Sequence, residues 1–237
     1  MLLARNFLKK FMNLSVSQKR IIERVVNVFE TGTTDGDYGA ISIYSDGPHD
    51  IRQITYGRSQ TTEYGNLRKL VTRYSKAGGV YSEPLAAYAD LVGSTPLTDN
   101  SVFKQLLRKS GRDDPVMQQT QDKFFDDQYF NPAKLWCESE GFATALAMLV
   151  AYDSFIHSGQ MLWVIRSMFP DLTPAKGGDE RLWVTAYVRA RNKWLTNHHR
   201  EAVRASAYRT RDLLREVSRS NWDLSQLPIK ANGVNVN

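Results

Sequence analysis

The sequence predicts a mainly α fold (α+β) carrying one small β-hairpin and one long central helix. Three observations predict it. Apolar residues recur at helical spacing through most of the chain, first at Ile21, Ile22, Val25, Val26 and Phe29. Strict alternation is confined to two short runs, 40–44 and 51–57, separated by the turn-forming Ser45-Asp46-Gly47-Pro48-His49. The segment from Glu140 to Phe155 is apolar nearly all round, which marks a helix that runs through a core.

The first helix is predicted from about Val16 to Glu30. Ser15 and Gln18 have capping-box spacing, and Gly32 supplies a stop. Its last residue is acidic and opposes the helix dipole, a cost that invites a functional explanation or a nearby cation. In the hairpin, Ile41 and Ile43 share one face, as do Ile54 and Tyr56. Further helices are expected at Asn66–Tyr74, Pro84–Val92 and Ser101–Lys109, the third with Val102, Phe103, Leu106 and Leu107 on one side. Another starts at Asp114-Pro115 and runs to about Tyr129, where Asn131-Pro132 breaks it. After the apolar helix come Asp179–His199 and an arginine-studded Glu201–Ser220. The division expected is an N-terminal extension over 1–15, one domain over 16–228 and a mobile tail over 229–237.

Composition sets the outer limits. With 237 residues, 42% of them hydrophobic, the chain can bury a real core, in one large domain or two lobes. A net charge of +6 favours anionic partners or serves solubility. The single cysteine, Cys137, allows no intrachain disulfide and reads as a buried hydrophobe. The longest apolar run, 142–151, is far short of the roughly 20 residues a membrane span needs. The basic, amphipathic start reads as a loose or docked helix. Arg5 interrupts what would be the apolar core of a signal peptide, so no classical secretion signal is expected. None of His49, His157, His198 and His199 sits in a zinc pattern, and phosphate-binding glycine loops are missing. No metal and no cofactor are expected.

The chemistry concentrates between Glu30 and Tyr64. Glu30 closes a helix; Asp46 and Asp50 sit in the hairpin turn. A carboxylate at a helix end facing a carboxylate in a nearby turn suits glycosidic bond cleavage. Asp46 before Gly47 is also an ordinary turn residue. Inverting hydrolysis needs a protonated acid and an ionised base about 6.5–9.5 Å apart, with water between. Far along the chain, Asp153 lies near the end of the apolar helix and Arg191 falls inside the apolar stripe of the next, unlike Arg189. The two are expected to pair.

These residues, with Phe29-Glu30-Thr31-Gly32, Asp46-Gly47, Ile54-Thr55-Tyr56-Gly57, Ala151-Tyr152-Asp153-Ser154, Tyr187-Val188-Arg189-Ala190-Arg191, Tyr208-Arg209 and Asn221-Trp222-Asp223-Leu224, resemble the family 46 chitosanases of the lysozyme superfamily. The matches run in the family's order over nearly the whole chain. The resemblance implies a bilobal lysozyme-like fold with the hairpin or small sheet in the first lobe. It implies an endo-acting, inverting hydrolase of β-1,4-linked amino-sugar polymer, with Glu30 as general acid, Asp46 as base and Thr55 positioning the water. Asp153, Arg191 and Arg209 would support the acid, and Arg52 and Tyr56 are expected to bind substrate. Where the family's turn reads Gly-Asp-Gly-Arg-Gly, this chain has Ser45-Asp46-Gly47-Pro48-His49-Asp50. Asp-Gly favours Asp46; the forward spacing to Thr55, with Arg52 between, fits Asp50 as the alternative base.

The implied partner is a polysaccharide, chitosan or peptidoglycan, with no nucleic acid. A peptidoglycan hydrolase (muramidase or phage-type lysin) and an inactive glycan-binding module are the alternatives. The polymer is extracellular or in the cell wall, so export by another route, or release, is implied; otherwise the location is cytoplasmic.

Overall fold

The computed structural model describes residues 12–58 and 60–237. The chain divides into two compact units. One takes the chain up to Phe29 and again from Tyr129 to the C-terminus; the other is Glu30–Gln128.

In the first unit, helix α1 (Val16–Thr31) enters with the predicted capping box. Gln18 N donates to Ser15 Oγ at 3.1 Å, and Ser15 N donates to Gln18 Oε1 at 2.9 Å. Its predicted apolar face is buried. Helices α6 (Asn131–Ser139) and α9 (Glu180–Thr196) pack on α7 (Ala145–Ser158), whose first ten residues are all buried. Short α8 (Trp163–Arg166), α10 (Glu201–Ala205) and α11 (Tyr208–Ser218) pack on α9. Aromatic side chains lock this core: Trp183 stacks on Tyr187 at 5.2 Å and meets Phe142 and Phe169. Cys137 is buried, and burial pushes its thiol up.

In the second unit, β1 (Ile41–Tyr44), β2 (Gln53–Tyr56) and β3 (Thr61–Thr62) form an antiparallel sheet in sequence order. Ile43 pairs with Ile54 and Ile41 with Tyr56, so the two predicted faces lie side by side. Helices α2 (Leu67–Ser75), α3 (Ser82–Ala86), α4 (Ser101–Asp113) and α5 (Pro115–Phe125) complete it. Two buried carboxylates organise its loops. Glu63 accepts from Ile54 N and Leu97 N, and Asp114 accepts from Tyr74 Oη, Val80 N and Val116 N. Backbone amides can hold an otherwise costly buried charge.

Several expectations are corrected. Residues 229–237 are not a mobile tail. They form hairpin β4 (Ile229–Ala231) and β5 (Val234–Val236), with Ile229, Ala231 and Val236 in the core. Asn232-Gly233, both at positive φ, makes the tight turn that such hairpins favour. Within the expected extension, Met12 is buried, and the helix expected at the start of the chain lies largely outside the described residues. Helix α7 begins at Ala145 rather than Glu140. Gly141 takes a left-handed turn, and the free N–H groups of Ala143 and Thr144 donate to Glu180 Oε1. Pro132 opens α6 instead of ending a helix, since its missing N–H costs nothing in a first turn. The expected Glu201–Ser220 helix breaks at Ser206-Ala207, and the one expected over Pro84–Val92 is only α3 followed by turns. Val102 is exposed, leaving Phe103 and Leu107 as the buried face of α4.

Candidate active site

Glu30 lies one residue from the end of α1 and is half-buried. The carbonyl just before it, Phe29 O, is a helix-end acceptor that needs a partner. Tyr208 Oη donates to it at 2.7 Å and Arg209 Nη2 at 3.1 Å. The same guanidinium stacks over the Phe29 ring at 5.4 Å.

Arg209 is one of the three members of a buried ion triad. Asp153, fully buried, receives Arg209 Nη1 on Oδ1 at 2.7 Å and Arg191 Nη1 on Oδ2. Arg191 is the inward-facing arginine of α9 while Arg189 is exposed, as the apolar stripe predicts. Nε and Nη2 of Arg191 are buried with no hydrogen-bond partner among the described residues, so Asp153 carries nearly all of its compensation. Burial raises the Asp153 carboxyl, but Arg191 and then Arg209 outweigh it and hold it down at about 2.

His157, one turn beyond Asp153 on α7, was not singled out by the sequence. Burial, then Arg209 and Arg191, push its imidazole down to about 3 from 6.5. The unfolded chain therefore takes up this proton near 6.5, whereas the folded chain waits until about 3. Its contribution to stability is complete above pH 6.5 and is lost as pH falls toward 3. His157→Gln is expected to flatten the decline of the unfolding temperature across that window. Calorimetry giving parallel declines for both proteins would remove this role.

Asp46 sits at the strand side of the hairpin turn. Gln53 Nε2 donates to its Oδ1 at 2.9 Å, while Gln53 Oε1 accepts from Tyr64 N at 3.2 Å. Gln53 is buried and shares a strand face with Thr55, two residues on. The Asp46 carboxylate is thereby tied to that face. Asp50 lies at the tip, beyond the bond from Gly47 N to Ile51 O that closes the turn, with a φ of +59°. Gly47 is required there, because a Cβ would meet Ile51 O at 2.8 Å. Thr55 is buried, and its Oγ1 has no hydrogen-bond partner among the described residues.

The two expected substrate contacts fare differently. Arg52 is exposed, 3.6 Å from Asp99. Tyr56 is a correction: it is fully buried, and its hydroxyl donates to Leu107 O at 2.8 Å and accepts from Gln121 Nε2 at 3.3 Å. Pairing on β2 turns it into the core of its unit, so it is unavailable to substrate. The sequence assigns no role to Gln53, Tyr208 or His157: Tyr208 stands only within the Tyr208-Arg209 match, the partner of Tyr208 and the arginines that shift His157 lie far along the chain, and Gln53 bonds within its own hairpin region. An ordinary glutamine in a strand carries no signal of that.

Charge divides between the units. Glu30–Gln128 holds 14 acidic and 11 basic residues, net −3; the remaining residues hold 20 basic and 11 acidic, net +9. Every carboxylate candidate for the chemistry is in the acidic unit.

The sequence matches the profile of Glycosyl hydrolase family 46 over residues 24–229. The chain belongs to that family. It is a glycoside hydrolase. It is 30% identical over 238 residues to a chitosanase of Bacillus subtilis (strain 168), covering 94% of this chain and 81% of the relative. Its fold is similar to that of the Gynuella sunshinyii GH46 chitosanase solved in complex with chitotetraose, with a TM-score of 0.81 and 22% identity over 94% of this chain and 98% of that one. A native chitosanase from Bacillus subtilis MY002 is similar with a TM-score of 0.76 and 25% identity, over 95% and 100%. The mainly helical fold with its small antiparallel sheet is thus the fold of this family.

Proposed function

We propose that this family 46 hydrolase cleaves β-1,4 linkages within chitosan, an amino-sugar polycation, with inversion. The observation that carries the reading is that the family match spans Glu30 and Asp46, both in the unit with net negative charge. A polycation is drawn to that unit even though the chain as a whole is basic.

Glu30 is the general acid, giving its proton to the leaving glycosidic oxygen as the bond to the anomeric carbon breaks. Asp46 is the base, taking a proton from the water that attacks that carbon from the opposite face. Its bond to Gln53, on the strand face that also carries Thr55, supports this choice, since base and water-positioning hydroxyl must be held together. The unpartnered Thr55 hydroxyl is suited to orient the same water. The Asp153–Arg191–Arg209 triad fixes the backbone carbonyl just before Glu30 and so acts through position rather than by touching substrate. Arg52, exposed beside the turn, binds sugar hydroxyls.

Two measurements test the reading. Asp46→Asn is expected to lower turnover by about a hundredfold or more, and Asp50→Asn by less than about tenfold. The reverse order moves the base to Asp50. Mass spectrometry of products from chitosan and from purified peptidoglycan tests the substrate: oligosaccharides from chitosan alone are expected. Muropeptides from the wall alone would make the protein a lysin, and no products from either, with the protein folded, would leave a binding module.

A further inference from the structure

Away from the candidate carboxylates, the C-terminal end of α9 carries a cavity of about 670 Å³ lined by Met168, Lys193, Trp194, Asn197, His198 and His199. It lies wholly within the basic unit. None of the six lining residues carries a carboxylate. Lys193 is exposed, and Arg189, one turn earlier on the same ridge, is exposed as well. Trp194 is half-buried, with the His198 ring edge-on at 4.7 Å and the His199 ring stacked on His198 at 4.3 Å. The turn that presents the imidazoles is built firmly. Arg204 Nη1 donates to both His198 O and His199 O at 2.8 Å. Arg200 N donates to His198 Nδ1 at 3.1 Å, which leaves Nε2–H as that ring's donor and argues against its serving as a metal ligand.

We propose that this cavity is a second glycan site whose ligand is an acidic polysaccharide, a chain of pyranose rings bearing carboxylates. The indole and imidazole faces match the apolar face of a sugar ring. The Nε2–H of His198 and the Asn197 amide match its hydroxyls, and the Lys193 ammonium its carboxylate. A cationic amino-sugar chain is repelled from this surface. A nucleic acid would call for a run of arginines along a groove, with several stacking rings, rather than one ammonium beside one indole.

The benefit of such a site rests on the chitosan reading; the site itself does not. Oppositely charged polymers associate strongly because each releases the other's counterions. A chitosan chain among acidic polysaccharides is therefore met as a complex. A protein with an acidic hydrolytic unit and a basic glycan-binding unit can hold both partners of that complex.

The deciding experiment is calorimetric titration of the full chain with an oligomer of galacturonic acid, beside a neutral galactose oligomer of equal length and a single-stranded DNA oligonucleotide. Binding of the galacturonate alone is expected. The exposed-site variant Lys193→Glu should weaken it at least about tenfold, and Trp194→Ala similarly. Unchanged affinity in Lys193→Glu, or equal binding of the neutral oligomer or the DNA, overturns the proposal. In parallel, wild type and Lys193→Glu should degrade free chitosan equally, with the variant slower only on chitosan complexed with polygalacturonate. Loss of turnover on free chitosan in the wild type would count against the chitosan reading, while the titration still decides the second site.

Discussion

Glu30→Gln is expected to lower kcat on chitosan by about a thousandfold or more while leaving the protein folded. The amide keeps the shape of the side chain but has no proton to give the leaving oxygen, and without that proton the departing sugar is an alkoxide. Glu30 is half-buried near a helix end, and the amide keeps its size and shape, so the packing around it is preserved. Circular dichroism and the unfolding temperature should match wild type. The effect should fall on kcat, with KM little changed, because the proton is transferred only in the transition state. Residual turnover within tenfold of wild type would remove Glu30 from the chemistry.

Asp153→Asn is expected to be the most destabilising single change at a charged residue. Asp153 is fully buried between Arg191 and Arg209. The substitution is nearly isosteric, so the lost term is charge. Arg191 loses its counter-ion, with no other partner for its Nε and Nη2 among the described residues, and Arg209 loses the carboxylate held by its Nη1. Breaking a buried pair in this way costs about 3–5 kcal/mol. For a chain of this size that is a fall of about 6–20 °C in unfolding temperature. Turnover should fall too, even well below that temperature, because Arg209 would lose the carboxylate that aims it at Phe29 O. A shift below about 2 °C would show that the triad is not the anchor described here.

The pH behaviour has a defined sign. The Asp153 carboxyl is held at about 2 against an ordinary 3.8. Its contribution to stability is fully present above pH 3.8 and is lost as pH falls through 2. The His157 contribution is lost earlier, from 6.5 downward. Wild type should therefore weaken in two stages on acidification, and only the lower one should vanish in Asp153→Asn.

Much of this protein is legible from residue order alone because the information is local. The capping box at Ser15 and Gln18, the apolar face of α1, the all-round apolar character of α7 and the alternation in β1 and β2 are each set by residues a few positions apart. Even the Asp153–Arg191 pair was readable, since each was a charge placed where its own helix is buried. The final hairpin is also written locally, in Asn232-Gly233 between short alternating runs.

What only the tertiary structure decided was contact between distant segments. It placed Arg209 and Tyr208 on Phe29 O, about 180 residues away, and turned Tyr56 inward onto Leu107. It also brought the Glu180 carboxylate to the start of α7, which moved that helix's first turn from Glu140 to Ala145. Periodicity tells a side chain which face it occupies. It says nothing of which donor or acceptor waits on the other side, and a buried polar group is settled by that partner alone.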